Sequence, residues 1–599
     1  MSNDLPPEGP YGAQQPPQPP VGGPQPPTFG SPQQPWGAPG VPPVPGPGQG
    51  EVLEMGGGSP IPPEQRGRGG RGRRIALLGG AVVGVAALGS AATWAVLALS
   101  GGGPQPAEGL PSTTVAYLSV DLDPSAGQKI EAMKTLKKFP AFDDAVDMNA
   151  QDDIRRELFD AIQKDSECEG LDYDDDIASW LGNRAAVAGV DVDGKPKPVV
   201  VLQVSDEKAA EAGLTAIAHC SATGDADESG DTSGDLGWKI SDGWAVISES
   251  DDVAEQVVAA TADGSLAEDS TYTKWVDEVG DPGIVTMYVS PDAGTLMLDS
   301  MDSLGGAFGD SLGMTDSYTD EAQPSAFTGG AADDGDVPPE VTKALEDFKG
   351  MAATIRFADG GMELEVAGDP GDQMQIYGTG AGTDVMATLP TDTAAAFGMR
   401  FADGWFTKVL DSAAASGDID VDEILSSMED ATGLGLPEDA ETLMGDSAVI
   451  SLGSDFDVNT MEQSSDGSGI PVGLKVHGDP AAIEDVLDKV RGQLPEQAQG
   501  FIESDSSGEM VAVAPDDDYR AALVGDGGLG DTADYRDVIR GGDKASVLFY
   551  VNFDANDWLT ELAQDDQEAQ DNLEPLSGLG MSAWVDGDAS HMVLRVTTD

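Results

Sequence analysis

Closely spaced acidic residues form the pattern in this chain that most resembles a binding site. Four of them match positions 1, 3, 5 and 12 of a calcium-binding loop: Asp418, Asp420, Asp422 and Glu429. Carboxylate oxygens are ligands that Ca²⁺ prefers, but position 6, where glycine makes the sharp turn, is Glu423. Residues 421–428 also have the spacing that begins an amphipathic helix, with Asp420 or Asp422 as its cap. The acids therefore have two interpretations, weak divalent-cation binding or helix capping.

A second pattern, residues 309–313, fits the GxSxG motif of serine hydrolases around Ser311. That motif requires a strand before the serine, a helix after it and a histidine base elsewhere in the fold. Here a helical pattern precedes Ser311 and an acidic loop follows it, so we interpret it as a loop serine. The chain has three histidines, His219, His477 and His591, and neither HExxH nor CxxC spacing. We therefore expect no zinc site and assign no catalytic residue.

The chain has two cysteines, Cys168 and Cys220. Both follow the long apolar segment described below, and an extracytoplasmic location would allow them to form a disulfide. Closing a loop of this size would stabilise the fold by about 4 kcal/mol in the chain-entropy model. The spacing does not determine whether the two Cβ atoms meet, so the disulfide is a hypothesis.

Acidic residues outnumber basic ones by 107 to 31, which gives a net charge of −76. Residues 1–74 contain as many arginines as acids, so the whole net charge lies beyond them. Such a surface repels nucleic acid, because binding to phosphates depends on basic groups that displace counterions. We expect no nucleic-acid partner, and the charge favours solubility in water.

Residues 75–99 form an uncharged run rich in Ala, Gly, Leu, Ile and Val. As a helix this run would extend about 37 Å, enough to cross a hydrocarbon core of about 30 Å. Five arginines come just before it: Arg66, Arg68, Arg71, Arg73 and Arg74. No basic residue follows until Lys129, which predicts a cytoplasmic N-terminus and an extracytoplasmic bulk. A cleaved signal peptide would begin near the N-terminus, so an uncleaved single-pass signal anchor is favoured.

Residues 1–64 contain 20 of the 40 prolines and much Gly and Gln, a composition that cannot bury a core. We expect residues 1–74 to be a disordered cytoplasmic tail that ends in an Arg-Gly segment. Its PxxP spacings suit a cytoplasmic partner with an aromatic groove, although a solvated tail is the simpler interpretation. Residues 100–109 are expected to be a short spacer.

Ordered patterning begins at Leu110 and then repeats. Four segments recur in the same order: 110–116 with 389–395, 181–187 with 444–450, 266–272 with 529–535, and 284–293 with 546–555. The nearly constant offset of the last three pairs indicates a tandem duplication. We predict an α+β fold with two related lobes, residues 110–368 and 389–599, joined by a linker at 369–388. Each lobe would be an antiparallel sheet covered by helices.

A basic cluster interrupts this acidic region: Lys129, Lys134, Lys137 and Lys138. Ile130, Met133 and Leu136 recur at helical spacing, so the lysines would lie on the opposite side of a helix. Two kinds of partner suit them, the anionic headgroups of the nearby membrane or the acids of the protein itself.

Residues 110–142, LPSTTVAYLSVDLDPSAGQKIEAMKTLKKFPAF, resemble the opening of the bacterial family called domain of unknown function 3352. The resemblance extends to residue 599. Members of that family are typically single-pass membrane proteins of high-GC Gram-positive bacteria, with a Pro-rich cytoplasmic tail and a large acidic outer region. The resemblance implies a location and an architecture, but no activity, cofactor or catalytic residue.

Together these patterns favour a membrane-anchored, strongly acidic protein that binds or scaffolds an unknown envelope protein without catalysis. Two alternatives stay open. One is an extracytoplasmic hydrolase that uses a carboxylate pair in a cleft between the lobes. The other is a calcium-responsive adhesive module.

Overall fold

The computed structural model describes residues 104–122, 126–145, 171–223, 236–296, 339–371, 384–415, 421–456, 467–558 and 567–599, with isolated positions between 155 and 163, between 374 and 378, and at 464. The predicted tail, its arginines and the apolar residues 75–99 lie outside this part. Within it, no helix combines the length and the apolar character needed to cross a membrane.

The described strands form one antiparallel sheet of sixteen strands. They are β1 (Thr114–Asp121), β2 (Leu181–Val192), β3 (Lys195–Val204), β4 (Gly237–Ser241), β5 (Trp244–Ser248), β6 (Val285–Val289), β7 (Met351–Ala358), β8 (Gly361–Gly368), β9 (Thr393–Arg400), β10 (Ser447–Gly453), β11 (Val472–His477), β12 (Ser504–Ser507), β13 (Met510–Val513), β14 (Val547–Asn552), β15 (Leu576–Asp586) and β16 (Ala589–Thr598).

Helices connect the strands. They are α1 (Ala126–Leu136), α2 (Pro140–Ala145), α3 (Glu207–Thr223), α4 (Asp251–Asp263), α5 (Ser270–Glu278), α6 (Pro339–Asp347), α7 (Asp384–Ala387), α8 (Trp405–Ala415), α9 (Val421–Thr432), α10 (Glu438–Met444), α11 (Pro480–Gln493), α12 (Glu496–Gln499), α13 (Asp517–Val524), α14 (Ala533–Val538) and α15 (Gln567–Leu573). Short 3₁₀ turns include Pro106–Gly109, Leu266–Glu268 and Leu529–Asp531.

Three hairpins of the first half close on an Asp-Gly turn. Both turn residues have positive φ in each case: Asp193-Gly194, Asp242-Gly243 and Asp359-Gly360. A two-residue turn of this kind matches the twist of the strands it joins, and Asp-Gly adopts it at low cost. The local sequence alone therefore determines where the hairpins β2–β3, β4–β5 and β7–β8 turn.

The two halves of the sheet have the same strand order. Counted outward from the centre, the strands are β8, β7, β6, β1, β2, β3, β5 and β4 on one side, and β16, β15, β14, β9, β10, β11, β13 and β12 on the other. Three of the four pairs of recurring segments fall at equivalent strands of these two series, and the fourth forms a 3₁₀ turn followed by a helix, α5 or α14, in each half. Even isolated bridges correspond, since Pro111 pairs with Ser265 and Pro390 pairs with Gly528.

Helices cover both faces of the sheet. On one face, Trp275 of α5 and Val257 of α4 pack with Tyr117 of β1. On the other face, Met133 of α1 packs with Ile355 of β7. The core therefore consists of two apolar layers, one on each side of the sheet, because successive side chains of a strand point to opposite faces.

The predicted architecture of two lobes, each with its own antiparallel sheet, is wrong. The last strands of the two halves, β8 and β16, pair with each other, from Gly361 opposite Thr597 to Gly368 opposite Ser590. Each would otherwise present a row of unpaired backbone groups, so this pairing satisfies both edges at once. The result is a continuous sheet in which residues 110–368 and 389–599 share one set of ladder hydrogen bonds.

A buried ionic network lies at this junction. Arg595 of β16 is fully buried opposite Glu363 of β8, with its Nη1 3.4 Å from the Glu363 carboxylate. Its remaining donors reach backbone carbonyls, of Asp537 at 2.6 Å and of Ala358 at 2.7 Å. Burial, and then the charge of Arg540, lower the pKa of Arg595. The guanidinium is thus costly to bury, and its hydrogen bonds offset that cost.

Arg356 of β7 completes the network. Its guanidinium donates to the Glu363 carboxylate at 2.7 Å and also contacts Glu365. Burial acts to lower the pKa of Arg356, but the hydrogen bond to Glu365 and the charge of Glu363 outweigh it and raise that pKa. Both glutamates of β8 therefore have a cationic partner inside the sheet.

We expect Arg595→Ala to lower the free energy of unfolding by about 3–5 kcal/mol, because it empties a fully buried site and removes the hydrogen bonds from Arg595 to Glu363 and to the carbonyls of Asp537 and Ala358. Arg536→Ala is the matched control. It removes an arginine of α14 that is 58% exposed and pairs only at the surface, and we expect a change below about 0.5 kcal/mol. Urea unfolding followed by circular dichroism measures both. Equal destabilisation by the two variants would contradict the importance of the junction.

Candidate functional site

A polar pocket of about 170 Å³ opens at the end of the sheet where β14 and β16 finish and β15 begins. Its walls come from both halves of the chain. They comprise Tyr550, Asn552 and Asp554 at the end of β14, Ser577 and Gly578 of β15, Thr597, Thr598 and Asp599 at the C-terminus, Asp534 and Asp537 of α14, and Asp359 of the β7–β8 turn. We call this the acidic pocket.

Aspartates dominate the electrostatics of the acidic pocket, since five of its lining residues are Asp and no lining residue is basic. Tyr550 lies at its inner wall and is almost fully buried. Burial, and then the negative charge of Asp534, raise the pKa of the Tyr550 hydroxyl well above its ordinary value. The phenol is therefore neutral at physiological pH.

Hydrogen bonds hold the walls of the acidic pocket in place. Ser577 Oγ donates to Thr597 Oγ1 at 3.0 Å, which joins β15 to β16. Lys138, just after α1, donates to the carbonyl of Thr598 at 3.1 Å and to its hydroxyl at 2.9 Å. At the rim, Arg540 lies 3.6 Å from the carboxylate of Asp359. Basic groups thus flank the pocket from outside.

The aspartates of the acidic pocket create a negative electrostatic field, which would attract a cation. In the described part of the chain, no group of three or more His, Cys, Asp or Glu converges as metal ligands would. The two hydroxyls of Ser577 and Thr597 bond each other, and no histidine lines the pocket. To act as a nucleophile, either of these hydroxyls would need a general base within hydrogen-bonding reach.

The described carboxyl groups with a resolved pKa shift also bear on the hydrolase alternative. In all of them the pKa is lowered: Glu131, Glu255, Asp439, Glu484, Asp516 and Asp588. A general acid at neutral pH needs a raised pKa. The alternative also relied on a cleft between two lobes, whereas β8 and β16 pair directly.

At the place that corresponds to Asp537 of the acidic pocket, the first half of the chain carries a positive charge. Tyr272 of α5 corresponds to Tyr535 of α14, which aligns Lys274 with Asp537 of the acidic pocket. The Lys274 ammonium lies 2.8 Å from the carboxylate of Asp588 and 4.0 Å from the ring centre of Trp275. One half therefore has a cation where the other has an acid, and only the backbone frame is shared.

The structure places the predicted calcium ligands only in part. Asp418 and Asp420 lie outside the described residues, while Asp422 and Glu429 belong to helix α9, which begins at Val421. Glu429 accepts a hydrogen bond from the backbone N–H of Leu436 at 3.4 Å. A helix begins where the sequence predicted one, and the cap and calcium binding both stay predictions.

The other sequence candidates are scattered. Cys168 and Ser311 lie outside the described residues, whereas Cys220 belongs to α3, so the disulfide stays a prediction. His219 is exposed on α3, and His477 ends β11 with its Nδ1 3.4 Å from Asp446. His591 is buried on β16 and stacks on Trp584, with ring centres 5.1 Å apart. No histidine of the three approaches another to form a joint site.

Sequence reasoning missed a buried lysine, Lys475 of β11. Its side chain is fully buried, and its ammonium donates to the carbonyls of Gly525 at 2.7 Å and Thr388 at 3.0 Å. Burial lowers the pKa of Lys475 to about 8. An amine with such a pKa suits nucleophilic chemistry, but the two carbonyls and complete burial give it a structural role. A lysine inside the apolar run of residues 470–476 was the available signal.

We expect Lys475→Met to weaken the pH dependence of stability. Between pH 8 and the ordinary pKa of 10.5, the unfolded chain binds a proton that the folded chain has released. The free energy of unfolding therefore rises with pH there, by at most about 1.4 kcal/mol per unit for this group. Urea unfolding between pH 8 and 9.5 should show a smaller slope in the variant. The exposed-lysine control Lys208→Met should keep the wild-type slope, and equal slopes in Lys475→Met and wild type would refute the assignment.

Comparison with known proteins identifies one related family. A family model described as "Protein of unknown function (DUF3352)" matches residues 75–467, which is more than half of the chain. The match begins at the first residue of the predicted apolar segment and continues into the second half of the sheet. No curated protein and no solved structure matches the chain.

Proposed function

Because this chain belongs to the DUF3352 family, whose function is unknown, we propose a non-catalytic role: a membrane-anchored scaffold that binds another protein of the bacterial envelope. The continuous sheet is the observation that carries the proposal. Sixteen strands at about 4.8 Å spacing form a layer roughly 70 Å across. Its two halves are joined by ladder hydrogen bonds and by the buried pair of Arg595 and Glu363. A broad sheet whose two halves are bonded together in this way suits a protein that presents a binding surface to a partner.

The sequence supports the proposed location. Residues 75–99 are long and apolar enough to span a bilayer, and the five arginines before them favour a cytoplasmic N-terminus. The net charge of −76 lies entirely beyond residue 74 and keeps the outer part well hydrated. A partner for such a surface would be cationic or bridged to it by divalent cations, and the acidic pocket, with five aspartates, is one place where this field is concentrated.

Topology tests the location directly. In a background with Cys168→Ser and Cys220→Ser, we expect Ser507→Cys, exposed at the β12–β13 hairpin, to react with a membrane-impermeant maleimide in intact cells. Gln14→Cys in the tail should react only after lysis. The opposite pattern would overturn the proposed orientation.

Proximity labelling in living cells tests the scaffolding role. A labelling enzyme fused after Asp599 should mark a set of envelope proteins that the same enzyme does not mark when fused to residues 1–109 alone. That difference would show that the sheet recruits partners beyond chance encounters in the membrane. Identical sets from the two fusions would contradict the proposal.

A further inference from the structure

The outer side of helix α1 combines basic side chains with an exposed apolar one. We propose that this surface, which we call the α1 surface (Lys129, Ile130, Lys134 and Lys137), docks on the anionic lipid headgroups of the membrane that holds residues 75–99. The inference rests on the proposed membrane location and deepens it, because it specifies which part of the fold contacts the lipid.

Ile130 is the first element of the argument. It is 59% exposed, the largest exposure among the large apolar side chains of the described residues. Three other apolar residues of α1 pack inside, since Ala132, Met133 and Leu136 are buried against the sheet. Ile130 lies instead on the rim of a shallow hollow that Phe357 also lines. The sequence predicted the lysines opposite Ile130, but Ile130 lies on their side of the helix, where its side chain can enter the headgroup layer while the lysines contact the phosphates.

The charge of the α1 surface is the second element. Residues 126–138 contain four lysines and one acid, Glu131, in a chain that is otherwise strongly acidic. Glu131 accepts hydrogen bonds from Lys134 at 3.1 Å and from the backbone N–H of Gly360 at 3.2 Å. The hydrogen bond from Lys134 lowers the pKa of Glu131, so its charge is already compensated within the fold. The surface is therefore locally cationic, which complements anionic lipid.

The third element is the position of the membrane exit. Pro104 follows the apolar segment by five residues, so it lies within about 18 Å of the end of that segment. The carbonyl of Pro104 accepts a hydrogen bond from Arg184 at 3.1 Å, and Arg184 also pairs with Asp121 at 2.8 Å. Asp121 is the last residue of β1. The chain thus enters the fold at the end of the sheet where β1 finishes.

Helix α1 lies at this same end. Val120 of β1 pairs with Val285 of β6, which in turn pairs with Ile355 of β7. Beyond Ile355, the N–H of Phe357 donates to the side chain of Gln128 in α1 at 3.0 Å. The α1 surface and the membrane exit are therefore on one edge of the sheet, and the short connection brings that edge to the bilayer.

Acidic residues at this edge do not cancel the attraction. Asp359, the nearest exposed acid of the hollow, faces Arg540 at 3.6 Å. Lys138, which follows α1, is bonded to Thr598 of the acidic pocket and so adds a positive charge beside the acids of that pocket. At physiological salt the screening length is about 8 Å, so the lysines that touch the headgroups dominate the local interaction.

Fluorescence of the full chain in vesicles tests the proposal. Ile130→Cys, in the background without Cys168 and Cys220, is labelled with an environment-sensitive dye and reconstituted in phosphatidylcholine with or without phosphatidylglycerol. We expect blue-shifted emission and quenching by brominated lipid only with phosphatidylglycerol. Met428→Cys is the matched control, because Met428 is a 40% exposed apolar residue on α9, and its dye should report water in both membranes.

A charge variant provides the second measurement. Replacing Lys129, Lys134 and Lys137 by Gln should reduce the docked-to-undocked ratio of the Ile130→Cys probe by about fivefold per lysine at low salt. Gln at Lys195, Lys208 and Lys544, which are exposed elsewhere, should leave it unchanged. If the chain floats with the vesicles but the probes at positions 130 and 428 behave alike, the docking inference is wrong. If the chain does not float with vesicles at all, the proposed membrane location fails instead.

Discussion

The pairing of β8 with β16 is the constraint on which the rest of this structure depends. An open sheet of eight strands would leave a long edge of backbone N–H and C=O groups on each half, and direct pairing satisfies both. The register is determined by side chains as well. Only with Leu364 opposite Leu594 does Arg595 face Glu363. A shift by one residue would send Arg595 to the other face of the sheet, away from Glu363.

The same junction makes the acidic pocket a composite of both halves. Asp359 reaches it from the β7–β8 turn, while Tyr550 and Asp534 belong to the second half. Lys138, which also belongs to the first half, donates a hydrogen bond to Thr598 of the second half. Separated lobes would have divided these groups, so the concentration of negative charge at this end of the sheet is a consequence of strand pairing rather than of any local motif.

The two halves share a backbone plan and differ in charge. Counted from the hairpin turns, Glu363 and His591 occupy corresponding positions, yet Glu363 faces Arg595 while His591 faces Ala367. Likewise, Lys274 stands where the second half has Asp537. Buried apolar residues preserve the frame, because packing tolerates few changes of volume. Charged positions differ between the halves on strands and helices alike, and these differences give each half its own pattern of charge.

The sequence by itself determined the local elements. Asp-Gly turns set three of the hairpins, helical spacing predicted α1, and the nearly constant offset of the recurring segments indicated two halves of one plan. These signals act over a few residues and need no knowledge of distant contacts.

Only the tertiary structure decided that the two halves form one sheet, that Arg595 and Lys475 are buried, and that five aspartates meet in one pocket. Arg595 and Glu363 are 232 residues apart in the chain. Nothing in the pattern of either strand specifies which other edge it meets, because backbone hydrogen bonding is the same for any partner strand. The burial of a charge likewise depends on groups that come from elsewhere to solvate it. Local sequence therefore determined the helices and strands, and long-range strand pairing determined which charged residues they bring together.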